Sequence, residues 1–404
     1  MRTRFAFGLV AGAVVLAGVP TVSPDFAVHE WGTFTTVAGR DGRAVDWLPL
    51  GGRDDLPCFV EHVDDRAIGR IKGVSAEVLA TIPDYATARS NLLGKVRMET
   101  PVLYFYSEHA TRVDVRVGFP RGLMTEWYPK ANVGQQMFTT ASLRNDRGQT
   151  SIRWPSVAIT PNTSPHFPTG TEPSHYYAAR ATDATPVSVG TQSEKFLFYR
   201  GVANFDVPLT TVLLGDESIR VTNIGEDALP VVIAFTNRGG KFGYRVERNV
   251  SREATIAAPV LNATSATLRR DLEAVLVEQG LFAKEAAAMV DTWRDTWFEE
   301  GTRVFYVFPR SSVDATLPLT ITPAPARVAR VFVGRMDVIT PAMVREVDAA
   351  IRSGNEVALA KYGRLLGPIT DRLMESADAA TRERVVKITN AALARQIQSG
   401  TICP

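Results

Sequence analysis

The chain has 404 residues, of which 45% are hydrophobic, 22% charged and 9% aromatic. These proportions exclude a disordered, collagen-like or multi-span membrane chain, and the length is ample for a packed core. Basic residues number 45 against 43 acidic ones; without Arg2 and Arg4, which fall in a leader-like segment, the balance is even and gives no support for a nucleic-acid or acidic-polymer partner.

Arg2 and Arg4 precede an apolar run from Phe5 to Val19 that is rich in Ala, Gly and Val. A positive n-region followed by an h-region is the form of a secretory leader. About 15 apolar residues fall short of the roughly 20 that a spanning helix needs. The expectation is a signal peptide over 1–27, with Ala17 or Ala27 preceding the cut, and an exported mature chain with no membrane span, periplasmic or extracellular; an uncleaved N-terminal anchor is the alternative. The first cysteine after the h-region is Cys58, which argues against a lipid anchor. Export to an oxidising compartment makes Cys58 and Cys403 a candidate disulfide, with two free thiols as the alternative. Closing so long a loop is worth on the order of 5 kcal/mol in the chain-entropy description. No C-x-x-C or Cys/His ligand spacing occurs, so a structural zinc site of the usual kind is excluded.

From about Val28 to Pro259 the sequence reads as β structure. Runs rich in Val, Ile, Phe, Tyr and Thr are broken by turn chemistry such as Asn145-Asp146-Arg147-Gly148 and Asn237-Arg238-Gly239-Gly240. Pro101 to Tyr106 is apolar on both faces, the pattern of a central strand covered on two sides. Thr111 to Phe119 alternates, with Val113, Val115 and Val117 on one face and Asp114 and Arg116 on the other. Further strands are expected at Lys195–Tyr199, Ser218–Val221 and Pro230–Phe235. Between Pro155 and Pro186 stand six prolines, so few backbone groups there can join a sheet interior. Phe167, Tyr176 and Tyr177 can anchor this segment as an ordered surface crossing rather than a lid.

Helical periodicity begins after Asn262. Leu268, Leu272, Val275 and Leu276 share one face before Gly280, and Ala286, Met289, Val290, Trp293 and Trp297 share another before Gly301. The two form a helical hairpin. Strands return at Thr302–Phe308, Leu317–Ile321 and Ala329–Val333. Pro341 to about Ser399 reads as three helices, with Thr340 as cap and Pro341 in the first turn. The fold class is mixed α and β (α+β). A β-sandwich-like region spans 28–260, and 261–404 carries the hairpin, further strands and a C-terminal helical unit that packs on the sheets or stands alone.

Short catalytic motifs fail. His29-Glu30-Trp31-Gly32-Thr33 has Thr33 where a zinc-protease helix needs its second His, and it lies in strand-like sequence. No nucleophile elbow, P-loop, S-x-x-K pair or EF-hand loop is present. A copper brace would need His29 as the first mature residue, and Val28 suits a cleavage site poorly. Any site is therefore dispersed over several strands. The ligand-binding candidates are His29, Glu30, Glu99, Glu126, Tyr128, His175, Tyr176 and Arg180. His29 and His175 are candidate ligands for a divalent metal, which is not favoured over hydrogen-bonded histidines. In a regular strand His29 and Glu30 point to opposite faces, so both could join one site only at a bulge or strand end. His175 to Arg180, read as a strand, sets Tyr176, Ala178 and Arg180 on a common face. Arg180, Arg200 and the phenols of Tyr104, Tyr176 and Tyr199 would suit a carboxylate or sugar hydroxyls. Glu299-Glu300, at a helix C-terminus, opposes the helix dipole; Arg294, Arg303 or Arg310 could relieve it, or one of the acids could act in an interdomain cleft.

The strings Val28-His29-Glu30-Trp31-Gly32-Thr33-Phe34-Thr35 and Arg97 to Tyr106 (RMETPVLYFY) resemble a group of uncharacterised exported bacterial proteins. Trp297-Phe298-Glu299-Glu300-Gly301 and Val333-Gly334-Arg335 are similar to the same group, so the resemblance covers nearly the whole mature chain. It implies export and a bacterial source, and no activity, cofactor or catalytic residue. Two functions fit. The first is binding of a small molecule, glycan or peptide, with hydrolysis as an extension, in a dispersed His/Glu/aromatic pocket. The second is a non-catalytic envelope or assembly role.

Overall fold

The computed structural model describes residues 23–50, 56–63, 92–134, 149–171, 173–375 and 377–398. The turn at Asn145–Gly148, Cys403 and most of the leader-like segment lie outside the described residues. In chain order the strands are β1 (Ser23–Ala38), β2 (Glu61–His62), β3 (Val96–Ser107), β4 (Thr111–Pro120), β5 (Gly122–Tyr128), β6 (Asn132–Gly134), β7 (Gln149–Ile159), β8 (Val187–Val189) and β9 (Gln192–Glu194). They continue with β10 (Leu197–Ala203), β11 (Leu209–Leu213), β12 (Ile219–Asn223), β13 (Leu229–Arg238), β14 (Lys241–Val250), β15 (Glu253–Ile256), β16 (Gly301–Val307), β17 (Leu319–Thr322) and β18 (Pro325–Val338). The helices are α1 (Ser265–Glu278), α2 (Ala283–Trp297), α3 (Arg310–Thr316), α4 (Pro341–Ser353), α5 (Glu356–Ala360), α6 (Leu366–Met374) and α7 (Ala379–Gln398).

A nine-stranded sheet runs β14-β13-β16-β18-β1-β3-β10-β5-β2. Its centre is β1, paired in parallel with β18 and antiparallel with β3. The division at residue 260 therefore runs through this sheet, because β16 and β18 complete it. A six-stranded sheet joins β17-β4-β7-β8-β9, with β6 beside β7, and a three-stranded sheet joins β11-β12-β15. One face of the large sheet packs on both small sheets. Val28, Leu103, Phe105 and Val232 meet Val113, Val115, Val117, Trp154 and Val221 in one core. This is the sandwich that strand alternation anticipates.

The opposite face carries α1 and α2. Leu268, Leu272, Val275, Leu276, Met289, Val290, Trp293 and Trp297 bury against Trp31, Val102, Tyr104, Ile233, Phe305 and Val331. β3 thus sends Val102 and Tyr104 to the hairpin and Leu103 and Phe105 to the sandwich core, as a two-sided apolar strand must. A third cluster joins α4, α5, α6 and α7 around Val347, Ile351, Leu359, Leu366 and Ile369, and packs them on Val37, Trp47 and Ile339. Thr340 caps α4, its Oγ1 accepting the Met343 N–H at 3.3 Å, with Pro341 in the first turn. Four helices and a short 3-10 turn (Gly363–Leu365) stand here where sequence periodicity suggested three. No helix among the described residues is long and apolar enough to cross a membrane.

Candidate functional site

The sequence-nominated groups do not meet in one hollow. His29 faces the helical hairpin, where its Nδ1 lies 2.8 Å from Glu285 Oε2 on α2. Glu285 also accepts the Tyr106 O–H at 2.7 Å and the Phe282 N–H at 2.7 Å, so it fastens the first turn of α2 to β1 and β3. Phe282 closes over His29 with ring centres 4.4 Å apart, and His29 Nε2 is buried without a partner. Glu30 faces the sandwich core instead. It accepts the Tyr199 O–H at 2.5 Å and the Arg330 Nε–H at 2.5 Å. The β1 register shifts fall between Ser23 and Ala27 and between Trp31 and Thr33, on either side of these two neighbours, so neither turns them to one side.

Glu126 is buried on β5, which is separated from β1 by β3 and β10, about 14 Å at ordinary strand spacing. Glu126 accepts a hydrogen bond from Thr125, and Tyr128 packs with Phe59. Glu99 accepts the Thr35 O–H at 3.0 Å. His175 to Arg180 is a 3-10 helix, not a strand. Ser174 caps it and the three-residue repeat buries Tyr176 and Ala179 together, leaving His175 half-buried. Arg180 grips Glu194 through Nε at 3.0 Å and Nη2 at 2.6 Å, among Phe59, Phe167, Tyr176 and Tyr177. Tyr176 donates to Glu194 at 3.0 Å and Tyr104 to the Ala179 carbonyl at 2.6 Å. These phenols and the Arg180 guanidinium are thus spent on packing. No group of three or more His, Cys, Asp or Glu able to hold a metal occurs among the described residues, so His29 and His175 do not share such a site. No free cysteine is found among the described residues.

The open concavity lies elsewhere. A cleft of about 790 Å³ separates the end of the large sheet from the C-terminal helices. Its floor is the end of β13 and the start of β16; α4 and the Lys361–Leu365 segment form its far wall. Leu213, Leu261, Met343 and Leu365 give it apolar surface, and Glu299, Glu300, Arg345 and Arg364 give it charge. Glu300 and Arg345 are exposed, and Arg345 adds its charge to those that act on the neighbouring Glu346. On the far wall Glu346 accepts from Tyr362 at 2.6 Å and from Lys361 at 2.9 Å. Those hydrogen bonds hold its carboxyl below the ordinary range.

Behind the cleft stands an arginine cluster. Arg303 donates to the carbonyls of Trp297 at 2.6 Å, Glu299 at 2.8 Å and Glu300 at 2.9 Å, capping the C-terminus of α2. This settles the helix-dipole conflict of Glu299-Glu300: the guanidinium meets the orphan carbonyls, and the Glu299 carboxylate turns to Arg335 at 2.6 Å and to Arg364. Arg294 and Arg310 pair elsewhere, with Asp295 and Asp314. Gly301 follows with φ +124°, and a Cβ there would sit 3.1 Å from Arg303 Nη2, so glycine leaves room for the cap. Asp337 accepts from Arg303 at 3.1 Å, Arg335 at 3.3 Å and Arg364 at 2.8 Å. Burial raises the Asp337 and Glu299 carboxyls, but the three guanidiniums outweigh it and hold both below the usual value.

Arg335, Arg364, Arg345 and Glu346 were not nominated from sequence. Arg335 and Arg364 lie 36 and 65 residues from Glu299, and only the acid pair at the helix end signals them. No family model matches the chain, and no curated protein matches it. Two solved structures of the yeast delta-COP-I mu-homology domain, one complexed with a Dsl1 WxWxV peptide, are similar to it at 9% and 10% identity. They cover 78% and 80% of this chain and 98% and 100% of their own, with TM-scores of 0.29 and 0.30. A likeness that loose supports no functional reading.

Proposed function

We propose that the chain is an exported binding protein whose ligand, a small molecule, glycan or peptide, occupies the cleft between the large sheet and the C-terminal helices. One observation carries this reading: a concavity of about 790 Å³ lined by apolar surface and by exposed charges of both signs, Glu300 and Arg345. That volume is in the range of small-molecule and cofactor sites. Glu299 and Glu346 are held ionised by neighbouring donors and cations, so at neutral pH they can accept a proton or pair with a cation rather than give a proton. The leader-like start supports export, and with it the pairing of Cys58 with Cys403.

The test is a thermal-shift panel of sugars, peptides and small acids on the mature protein and on Ala342→Trp, which fills the cleft at the start of α4. A ligand that stabilises the first and not the second supports the reading; no ligand, or equal shifts, removes it. Intact mass and terminal sequencing of periplasmic material check the leader and the disulfide. A non-catalytic assembly role stays as a second reading, because the nominated groups Glu30, Glu126, Tyr176 and His29 are buried and spent within the fold.

A further inference from the structure

We infer that Arg335 and Arg364 form the seat for an oxyanion group on the cleft's ligand, and that Glu299 fills this seat in the empty protein as an internal carboxylate which the ligand displaces. The inference rests on the cleft-binding reading and names the chemistry of its ligand: a carboxylate or phosphate head on an apolar body.

The first support is an unfinished fork. An arginine presents Nε–H and one Nη2–H along the same edge, matched to the two oxygens of a carboxylate or phosphate. Arg180 uses that edge fully on Glu194. Arg335 does not: Nη2 reaches Glu299 and Asp337, while Nε is buried with no acceptor. A buried donor left unmade is costly, and a ligand oxygen placed along this edge would complete it. Glu299 also offers a single oxygen, Oε1, to both Arg335 and Arg364.

The second support is charge. Arg303, Arg335 and Arg364 stand with Glu299 and Asp337, leaving one positive charge over. An arriving oxyanion that replaces the Glu299 carboxylate keeps the seat compensated while Glu299 moves to water.

The third support is which parts are fixed. The Arg303 and Arg335 side chains are 1% exposed, whereas that of Glu299 is 40% exposed and lies on the α2–β16 connection at the cleft. The carboxylate can leave; the guanidiniums are held. Leu213, Leu261, Met343 and Leu365 then receive the apolar body.

Titration calorimetry with octanoate, octyl phosphate and octanol tests the proposal on the mature protein and on Glu299→Gln, Glu299→Asp, Glu300→Gln and Ala342→Trp, each first shown to unfold cooperatively. Octanoate or octyl phosphate should bind Glu299→Gln roughly tenfold more tightly than the parent, as removal of an internal competitor requires. Glu299→Asp, one methylene short of the seat, should gain less, and octanol should not respond. The better of the two acids identifies the head group. Equal gain in Glu300→Gln would reduce the effect to general charge and overturn the displaced-carboxylate claim. No gain in either Glu299 variant, with binding still lost in Ala342→Trp, would overturn it while leaving the cleft reading intact. Acids that bind neither parent nor variants would overturn the inference, and the cleft reading would then rest on the thermal-shift panel.

Discussion

Glu30 and Arg330 lie 300 residues apart in the chain and 2.5 Å apart in the fold, directly opposite each other on the parallel strands β1 and β18. Both side chains are almost wholly buried, and Tyr199 and Asp314 complete the network. Removing Arg330 strands the Glu30 carboxylate in the sandwich core, and removing Glu30 leaves the buried Arg330 with the half-exposed Asp314 as its acid. Glu30→Met is expected to cost about 3–5 kcal/mol in urea unfolding. The double variant Glu30→Met/Arg330→Met should lose clearly less than the two singles together, because no unpaired ion remains. Additive losses would show that the two groups act independently.

The arginine cluster sets the acid limb of stability. Asp337 and Glu299 have folded values below their unfolded ones, so their contribution is present above about pH 4, the ordinary carboxylate range, and is lost as pH falls through the depressed folded values. Unfolding free energy measured from pH 7 to pH 2 should therefore fall below about pH 4. Asp337→Asn should start less stable and show a flatter acid limb. A limb of unchanged steepness would assign the acid loss to other carboxylates.

Much of the local structure is legible in the sequence because its causes are local. Leu268, Leu272, Val275 and Leu276 mark the buried face of α1, and Thr340 with Pro341 marks the start of α4. The opposite facing of His29 and Glu30 follows from strand alternation alone. The pairing of β1 with β18 leaves no such trace, since nothing near Glu30 points to Arg330. For the same reason the cleft was not legible. Glu299 announces itself at a helix end, but Arg335 and Arg364 reach it from β18 and from the segment after α5. The His175–Arg180 stretch misled because an aromatic run favours strands, while Ser174 supplies a local cap for a 3-10 turn.

Glu285 ties the hairpin to the sheet through His29, Tyr106 and the Phe282 N–H. Tyr106→Phe removes one of these bonds and should cost about 1 kcal/mol. Glu285→Ala removes all three and leaves His29 buried without either ring nitrogen satisfied, so its cost should be several-fold larger. Hydrogen exchange should locate the loss in the first turns of α2 and spare the β4–β7 pair. Uniform loss of protection across both regions would deny Glu285 this local fastening role.

Gly334 on β18 lies directly across from Tyr306 on β16, and the phenol ring covers the place where a side chain would stand. A Cβ at Gly334 would come within 2.1 Å of a ring carbon, far inside contact distance. Tyr306 is fully buried and its hydroxyl has no partner, so the ring is held by packing on both sides and has little room to yield. Gly334→Ala is therefore expected to destabilise by at least about 1–3 kcal/mol, the usual cost of overpacking a core. Tyr306→Leu alone should also destabilise, by leaving the glycine uncovered and a cavity beside it. Combined, the added methyl enters the space that the ring vacates, so Gly334→Ala/Tyr306→Leu should be more stable than the sum of its parts predicts, by about 1 kcal/mol or more. Thermal or urea unfolding of the four proteins measures that coupling; a coupling of zero would mean that the two residues do not exclude each other in solution.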